Sequence, residues 1–112
     1  MANERNLDLS ALEQKIMLVI MRLNPDAYGV SIQERLLADT GKKISFGSIY
    51  AALERLEEKG FVKPRNGEPT AARGGKGKVY FTLSGNGQVA LDAAMNSWDV
   101  LRKGINFKGV TA

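Results

Sequence analysis

Apolar residues at steps of three and four open the chain. Leu9, Leu12, Ile16, Val19, Ile20 and Leu23 keep this spacing and predict a helix over residues 9–23. Ser10 and Glu13 stand three apart near its start, as a capping box requires, and Asn24-Pro25-Asp26 closes it. Met17, Leu18 and Met21 fall outside the main stripe. The helix therefore reads as apolar on a second face, which predicts a partner chain against it. Val30, Ile32, Leu36 and Leu37 mark a second helix over 28–40, with Gly41 as its terminal cap. Lys42 to Ile44 reads as a very short strand. A third helix is predicted over 46–59, capped by Ser45 and ended by Gly60. Ile49, Ala52, Leu53 and Leu56 share one face of it. Gly47, Ala51, Glu54 and Glu58 lie opposite, with Ser48, Tyr50 and Arg55 on the flanks.

The period then changes. Phe61 to Lys63 and Lys78 to Leu83 read as two strands, joined by "PRNGEPTAARGGKG", which has no periodicity. A last helix follows Ser84 and runs to about residue 104. Along it Leu91, Ala94, Trp98, Leu101 and Ile105 repeat at 3, 4, 3, 4, with Met95 beside them. That is the seam of a pairing helix. Two heptads are too few for a free coiled coil, but enough for a helix packed on Leu12 and Ile16 of a partner's first helix. Three helices followed by a hairpin make a winged helix. The fold class expected is mainly α with a small β-hairpin (α+β): a winged helix-turn-helix domain over 1–83, a dimerisation helix over 84–105 and a flexible tail over 106–112. The third helix would enter the DNA major groove and the hairpin, about 61–83, would be the wing.

Charge sharpens this picture. The net charge is +4. Lys63, Arg65, Arg73, Lys76 and Lys78 face one acid, Glu68, between positions 63 and 78, while the rest of the chain is balanced. The whole net charge thus sits on the hairpin. Its glycines let the backbone come close to a partner, and its cations suit the phosphates of a nucleic acid. On the third helix the outward residues near the start are small: Gly47, Ser48 and Ala51. A helix N-terminus with free amides favours a phosphate, and Ser45, Ser48 and Tyr50 can donate hydrogen bonds. Ser45 can also simply cap, and Tyr50 can simply pack. Glu54, Glu57 and Glu58 restrict DNA contact to the first two turns.

The residues that are missing matter as well. Without cysteine there is no disulfide and no thiolate metal site. Without histidine the commonest general base and metal ligand are gone. No cofactor is expected, and no enzyme. The polar start "MANERNLDLS" has no signal-peptide core, and the longest apolar run, Ile16 to Met21, is too short to span a bilayer. A cytoplasmic chain is expected. Gly85-Asn86-Gly87-Gln88-Val89-Ala90 matches the glycine fingerprint of a dinucleotide-binding turn, but only 22 residues follow Ala90 and they hold no second strand. The βαβ unit and its acid are absent. Gly87 more simply lets the last helix pack closely on the wing. No Walker A pattern exists either: Gly75-Lys76 is followed by Gly77, and Gly77-Lys78 by Val79.

Three stretches carry a resemblance: "YGVSIQERL" (28–36), "SFGSIYAALERLEEKGFV" (45–62) and "GGKGKVYFTLSGNGQVAL" (74–91). Together they resemble the PadR-like transcriptional regulators, in order, over residues 9–105. The middle motif is specific; the wing motif is shared with other winged-helix families. The resemblance implies a DNA-binding repressor that is dimeric through its first and last helices and is often released by a small molecule. It carries DNA contact over to Ser45, Gly47, Ser48 and Tyr50 on the recognition helix, and to Arg73, Lys76 and Lys78 on the wing; Ala51 and Lys63 join them on position and charge. Many relatives have two or three C-terminal helices, whereas this chain resembles the short subfamily with one. Any pocket for a small aromatic or hydrophobic effector would then be built from helices one and four. Trp98 is either plain interface core or a platform that pairs with its symmetry mate and lines a hydrophobic pore. The competing reading is a winged helix used as a protein adaptor, without specific DNA binding.

Overall fold

The computed structural model describes residues 8–68 and 77–109. Four helices and one hairpin follow in the order α1 (Ala11–Leu23), α2 (Gly29–Thr40), α3 (Phe46–Glu58), β1 (Val62–Asn66), β2 (Val79–Leu83) and α4 (Gly85–Arg102), with a short 3-10 turn at Phe107–Gly109. This is the α+β winged-helix arrangement expected from the periodicity.

The capping box at α1 forms as its spacing predicts. The Glu13 N–H donates to Ser10 Oγ at 3.1 Å, and the Ser10 N–H donates back to Glu13 Oε1 at 2.8 Å. Behind the caps, one core collects Ile16, Val19 and Ile20 of α1, Ile32 and Leu36 of α2, and Ile49, Leu53 and Leu56 of α3. All four residues assigned to the inner face of α3 are buried. Phe61, Val62, Phe81 and Leu91 close the core from the hairpin and from the root of α4.

The strands pair antiparallel, with Val62 opposite Leu83 and Asn66 opposite Val79. Pro64 faces Phe81, whose N–H turns away from β1 and donates to Ala27 O at 2.8 Å. The missing donor of Pro64 therefore costs no ladder bond, the usual condition for proline in an edge strand.

Three expectations change. Pro64 to Asn66, read as the start of the hairpin tip, extend β1 and pair with Phe81 to Val79; beyond Val62 the strand is exposed on both faces, so no alternation marks it. Lys42 to Ile44 form no strand, because the outer edge of β2 is already taken by Ala27 and by a bridge between Tyr28 and Tyr80. Ile44 instead accepts a hydrogen bond from Gln33 Nε2 at 2.8 Å. Met17 is not on a second, wet face of α1: it is fully buried in the core, and only Leu18 and Met21 stay about half exposed.

Candidate nucleic-acid interface

The site is built from the start of α3 outward. Ser45 caps α3, with its Oγ accepting from the Ser48 N–H at 3.1 Å. The Ser45 hydroxyl donates to Ser48 Oγ at 3.0 Å, so the proton of Ser48 is the one left to point outward. Ser45, Gly47, Ser48 and Ala51 are all exposed, and the first turn of α3 carries no acid. The positive end of the helix dipole is therefore open to an anion. Gly47 and Ala51 border a cleft of about 520 Å³ that Phe81 of β2 closes on the far side and that Glu54 and Glu57 line further along α3, so the start of α3 and the wing flank one hollow whose acids lie away from the helix start.

Tyr50 has a double role. Its ring is half exposed and stands 6.4 Å from the Phe46 ring. Its hydroxyl sits directly on Gly29 at the start of α2, where an added Cβ would collide with it. Gly29 thus fixes how closely α3 crosses α2. "YG" at 28–29 and "SIY" at 48–50 are two halves of one contact, a link that a single sequence does not reveal.

Tyr28 belongs to a second contact that sequence reasoning missed. Its ring meets Tyr80 of β2 edge to face, with centroids 5.5 Å apart. Lys78 Nζ lies over the Tyr28 ring at 4.2 Å, and the Arg65 guanidinium lies over Tyr80 at 4.7 Å. Arg65 also donates to Pro25 O at 3.2 Å. Lys78 over Tyr28 ties the base of the wing to the start of α2, while Arg65 over Tyr80 joins the two strands of the wing. The only sequence signal was aromatic residues next to basic ones in "GKVYF". Lys63 is exposed on β1, while Arg73 and Lys76 lie outside the described residues.

Glu13 was read only as a cap. It is 2% exposed, and besides Ser10 it accepts from Arg55 Nε at 2.9 Å and Lys59 Nζ at 3.1 Å, both near the end of α3. Burial pushes its carboxyl up, but hydrogen bonds from Ser10, Arg55 and Lys59 and the charge of Lys59 outweigh burial, and the pKa ends below the ordinary value of 4.5.

The residues assigned to a partner or effector surface divide. Ile16 and Leu91 lie in the protomer's own core and offer no surface to a second chain; Leu12, Ala94 and Met95 are half-buried. Trp98 and Leu101 are 52% and 70% exposed on the second half of α4, and Ile105, 52% exposed, lies beyond the end of α4 at Arg102, so the helical seam expected through Ile105 stops at Leu101. The Trp98 Nε1–H donates to Gln14 Oε1 at 2.7 Å, which fixes the indole edge and leaves a ring face open. A groove of about 800 Å³ runs between the start of α1 and α4, lined among others by Leu9, Gln14, Ala90 and Ala94.

The nucleotide fingerprint is closed off. The Gly87 N–H donates to Ser84 Oγ at 2.9 Å, and a Cβ at Gly87 would strike the Phe61 backbone. No space remains there for a pyrophosphate. Among the described residues no helix is long and apolar enough to cross a membrane.

Comparison with known proteins agrees with this geometry. No curated protein matches the chain. Several solved structures do. A PadR family transcriptional regulator from Eggerthella lenta is 28% identical, covering 83% of this chain and 82% of its own, with a TM-score of 0.64. A transcriptional regulator from Clostridium thermocellum is 24% identical over 89% of this chain and 93% of its own, at a TM-score of 0.70. A PadR-like transcriptional regulator from Bacillus cereus is 22% identical over 80% and 82%, at 0.67. The family model of the PadR-like transcriptional regulators matches residues 17–93, most of the chain and all of the site from Tyr28 to Gly87. The chain therefore belongs to the PadR-like family and is a DNA-binding transcription regulator, not an enzyme.

Proposed function

We propose that this regulator is a repressor that binds a palindromic operator as a homodimer. The observation that carries the reading is the start of α3: small, exposed and free of acids, it shares one hollow with the wing. Ser45, Gly47, Ser48, Tyr50 and Ala51 face the major groove, and Lys63, Arg73, Lys76 and Lys78 face phosphates. Residues 1–83 act as the DNA-binding unit and 84–105 as the dimerisation helix, with 106–112 as a tail. Support for the dimer is the exposed run of Trp98, Leu101 and Ile105, which an isolated chain would leave in water. Two copies place two recognition helices about one turn of DNA apart, near 34 Å, which is why the operator should be palindromic.

Release by a small aromatic or hydrophobic effector fits the groove between α1 and α4 and the open Trp98 face. Trp98 fluorescence should be quenched by planar aromatic compounds that also weaken DNA binding. If no such compound does either, the effector part falls.

Titration of the protein on its own upstream DNA and on random DNA, across salt, tests the main reading. Operator affinity should exceed random affinity by at least about 10³ and fall steeply with salt. Leu101→Asp should convert the dimer to a monomer and remove that preference. Weak, sequence-blind binding by the parent protein would favour a protein adaptor instead.

A further inference from the structure

Glu13 is the one buried carboxylate among the described residues. Capping α1 does not require its charge, since a glutamine at the same position caps as well. A buried charge costs stability unless well-placed partners meet it. Here both partners come from one place, the last turns of α3, 42 and 46 residues further along the chain. Arg55 reaches Oε2, while Lys59 reaches both carboxylate oxygens and also donates to Asp8 O at 2.8 Å.

The rest of α3 is held by the buried face of Ile49, Leu53 and Leu56 and by Tyr50 against Gly29, which sets how near α3 comes to α2. Apolar contacts are non-directional, so they fix the spacing of the helices more than the angle of α3 against α1. The ion pairs are directional, and they grip the end of α3 furthest from its DNA-facing start. α3 has 13 residues and is therefore about 20 Å long, so a tilt of about 5° at the gripped end swings its start by nearly 2 Å. That displacement exceeds the tolerance of a hydrogen bond to a base edge.

We propose that Glu13 is a positioning residue for DNA recognition: through Arg55 and Lys59 it sets the angle of α3 against α1, and with it the placement of Gly47 and Ser48 in the groove. The inference rests on the DNA-facing role of α3 given above. Because α1 carries part of the surface assigned to the dimer, the same grip ties the recognition helix to the dimer axis.

Two variants test this. Glu13→Gln keeps the size and the cap acceptor but removes the charge. Arg55→Met removes one partner from a half-exposed position and keeps most of the stem. The first readout needs no DNA. The chain has no cysteine, so Arg22→Cys with Ser48→Cys gives one labelled site on α1 and one at the free start of α3, far from the gripped end. Spin-label distances are read in full-length protein diluted with unlabelled chain. One narrow distribution is expected in the parent, and a shift or broadening of about 1–1.5 Å in each variant, the lever-arm displacement at the start of α3 for a tilt of about 5°. Unchanged distributions overturn the proposal whatever the protein does on DNA. The second readout is the ratio of operator to random affinity. It should fall about tenfold in Glu13→Gln and about threefold in Arg55→Met, with the salt slope unchanged, because no phosphate contact is lost. A purely structural role would lower the melting temperature and leave that ratio intact, which overturns the proposal. A salt slope smaller by about 1 in Arg55→Met would make Arg55 a phosphate contact, and overturns it too. If the parent prefers no sequence, the repressor reading fails, and the label distances still decide whether Glu13 holds α3. If Glu13→Gln does not fold, Arg55→Met decides both readouts.

Discussion

α3 and α4 begin alike and end up in opposite surroundings. Each opens on a serine cap with a glycine in its first turn: Ser45-Phe46-Gly47-Ser48 and Ser84-Gly85-Asn86-Gly87. Each serine Oγ accepts the backbone N–H three residues on, at 3.1 Å and 2.9 Å. By local chemistry the two helix ends are equal candidates for an anion. Tertiary structure separates them. The start of α4 is pressed against the end of α3 and the root of β1: Ser84 is buried, its N–H donates to Phe61 O at 2.9 Å, and its hydroxyl donates to Gly60 O at 2.6 Å. The start of α3 faces outward, and the nearest atom to a Cβ at Gly47 would be Ser45 Oγ at 3.9 Å. A capping motif therefore announces a helix end without saying whether a ligand can reach it.

The largest test of this difference is Gly87→Ala. The new methyl would meet the Phe61 backbone, which cannot swing aside as a side chain tip can. Forced overpacking of this kind costs about 1–3 kcal/mol, and the melting temperature should drop by about 4–8 °C for each of them. Calorimetry that finds the variant as stable as the parent would mean that α4 does not pack on Phe61.

Ser84→Ala and Ser45→Ala come next. Both lose a cap, worth about 1 kcal/mol. Ser84→Ala also loses the 2.6 Å hydrogen bond from the Ser84 hydroxyl to Gly60 O, which adds about 1 kcal/mol. Chemical denaturation should therefore show Ser84→Ala as roughly twice as damaging as Ser45→Ala. Equal losses would remove the distinction between a covered and an open helix end.

Much of this fold is legible in the chain itself. α3 was expected over 46–59 and runs Phe46–Glu58, because Ser45, Gly60 and the Ile49-Ala52-Leu53-Leu56 face all act locally. The start of α4 at Ser84 follows for the same reason, but α4 ends at Arg102 rather than near 104, and β1 runs on to Asn66 because its exposed Pro64-Arg65-Asn66 end carries no alternation. Depth and long-range partners were not legible. A helical projection gives the direction of a side chain but not how far the neighbouring element covers it, so Met17 looked like part of a second face and Ile16 and Leu91 like a partner surface, while all three are core. Glu13 fulfils its local capping pattern in full, which hid its ion pairs with residues more than 40 positions away. Gly29 and Tyr50 each stood out in a motif, yet only the crossing of α2 and α3 shows that one makes room for the other.

The smallest effect on stability, and the most informative about function, is Gly47→Ala. The site has room for the methyl, and alanine is favoured over glycine inside a helix by roughly 0.5–1 kcal/mol. The variant should unfold at the same temperature as the parent or a few degrees higher. Its DNA binding should nevertheless change. If the start of α3 lies close against base edges, an added methyl group on its outer face either clashes or selects a different base, at a cost of about 1–3 kcal/mol in discrimination. Operator affinity should then fall about tenfold or more, while random-sequence affinity and the salt slope hold, since no cation is lost. This separates it from Lys63→Ala, at an exposed cation of β1, which should weaken all sequences and lower the slope by about 1. A Gly47→Ala protein that keeps both its stability and its operator preference would show that the open end of α3, although accessible, is not where the sequence is read.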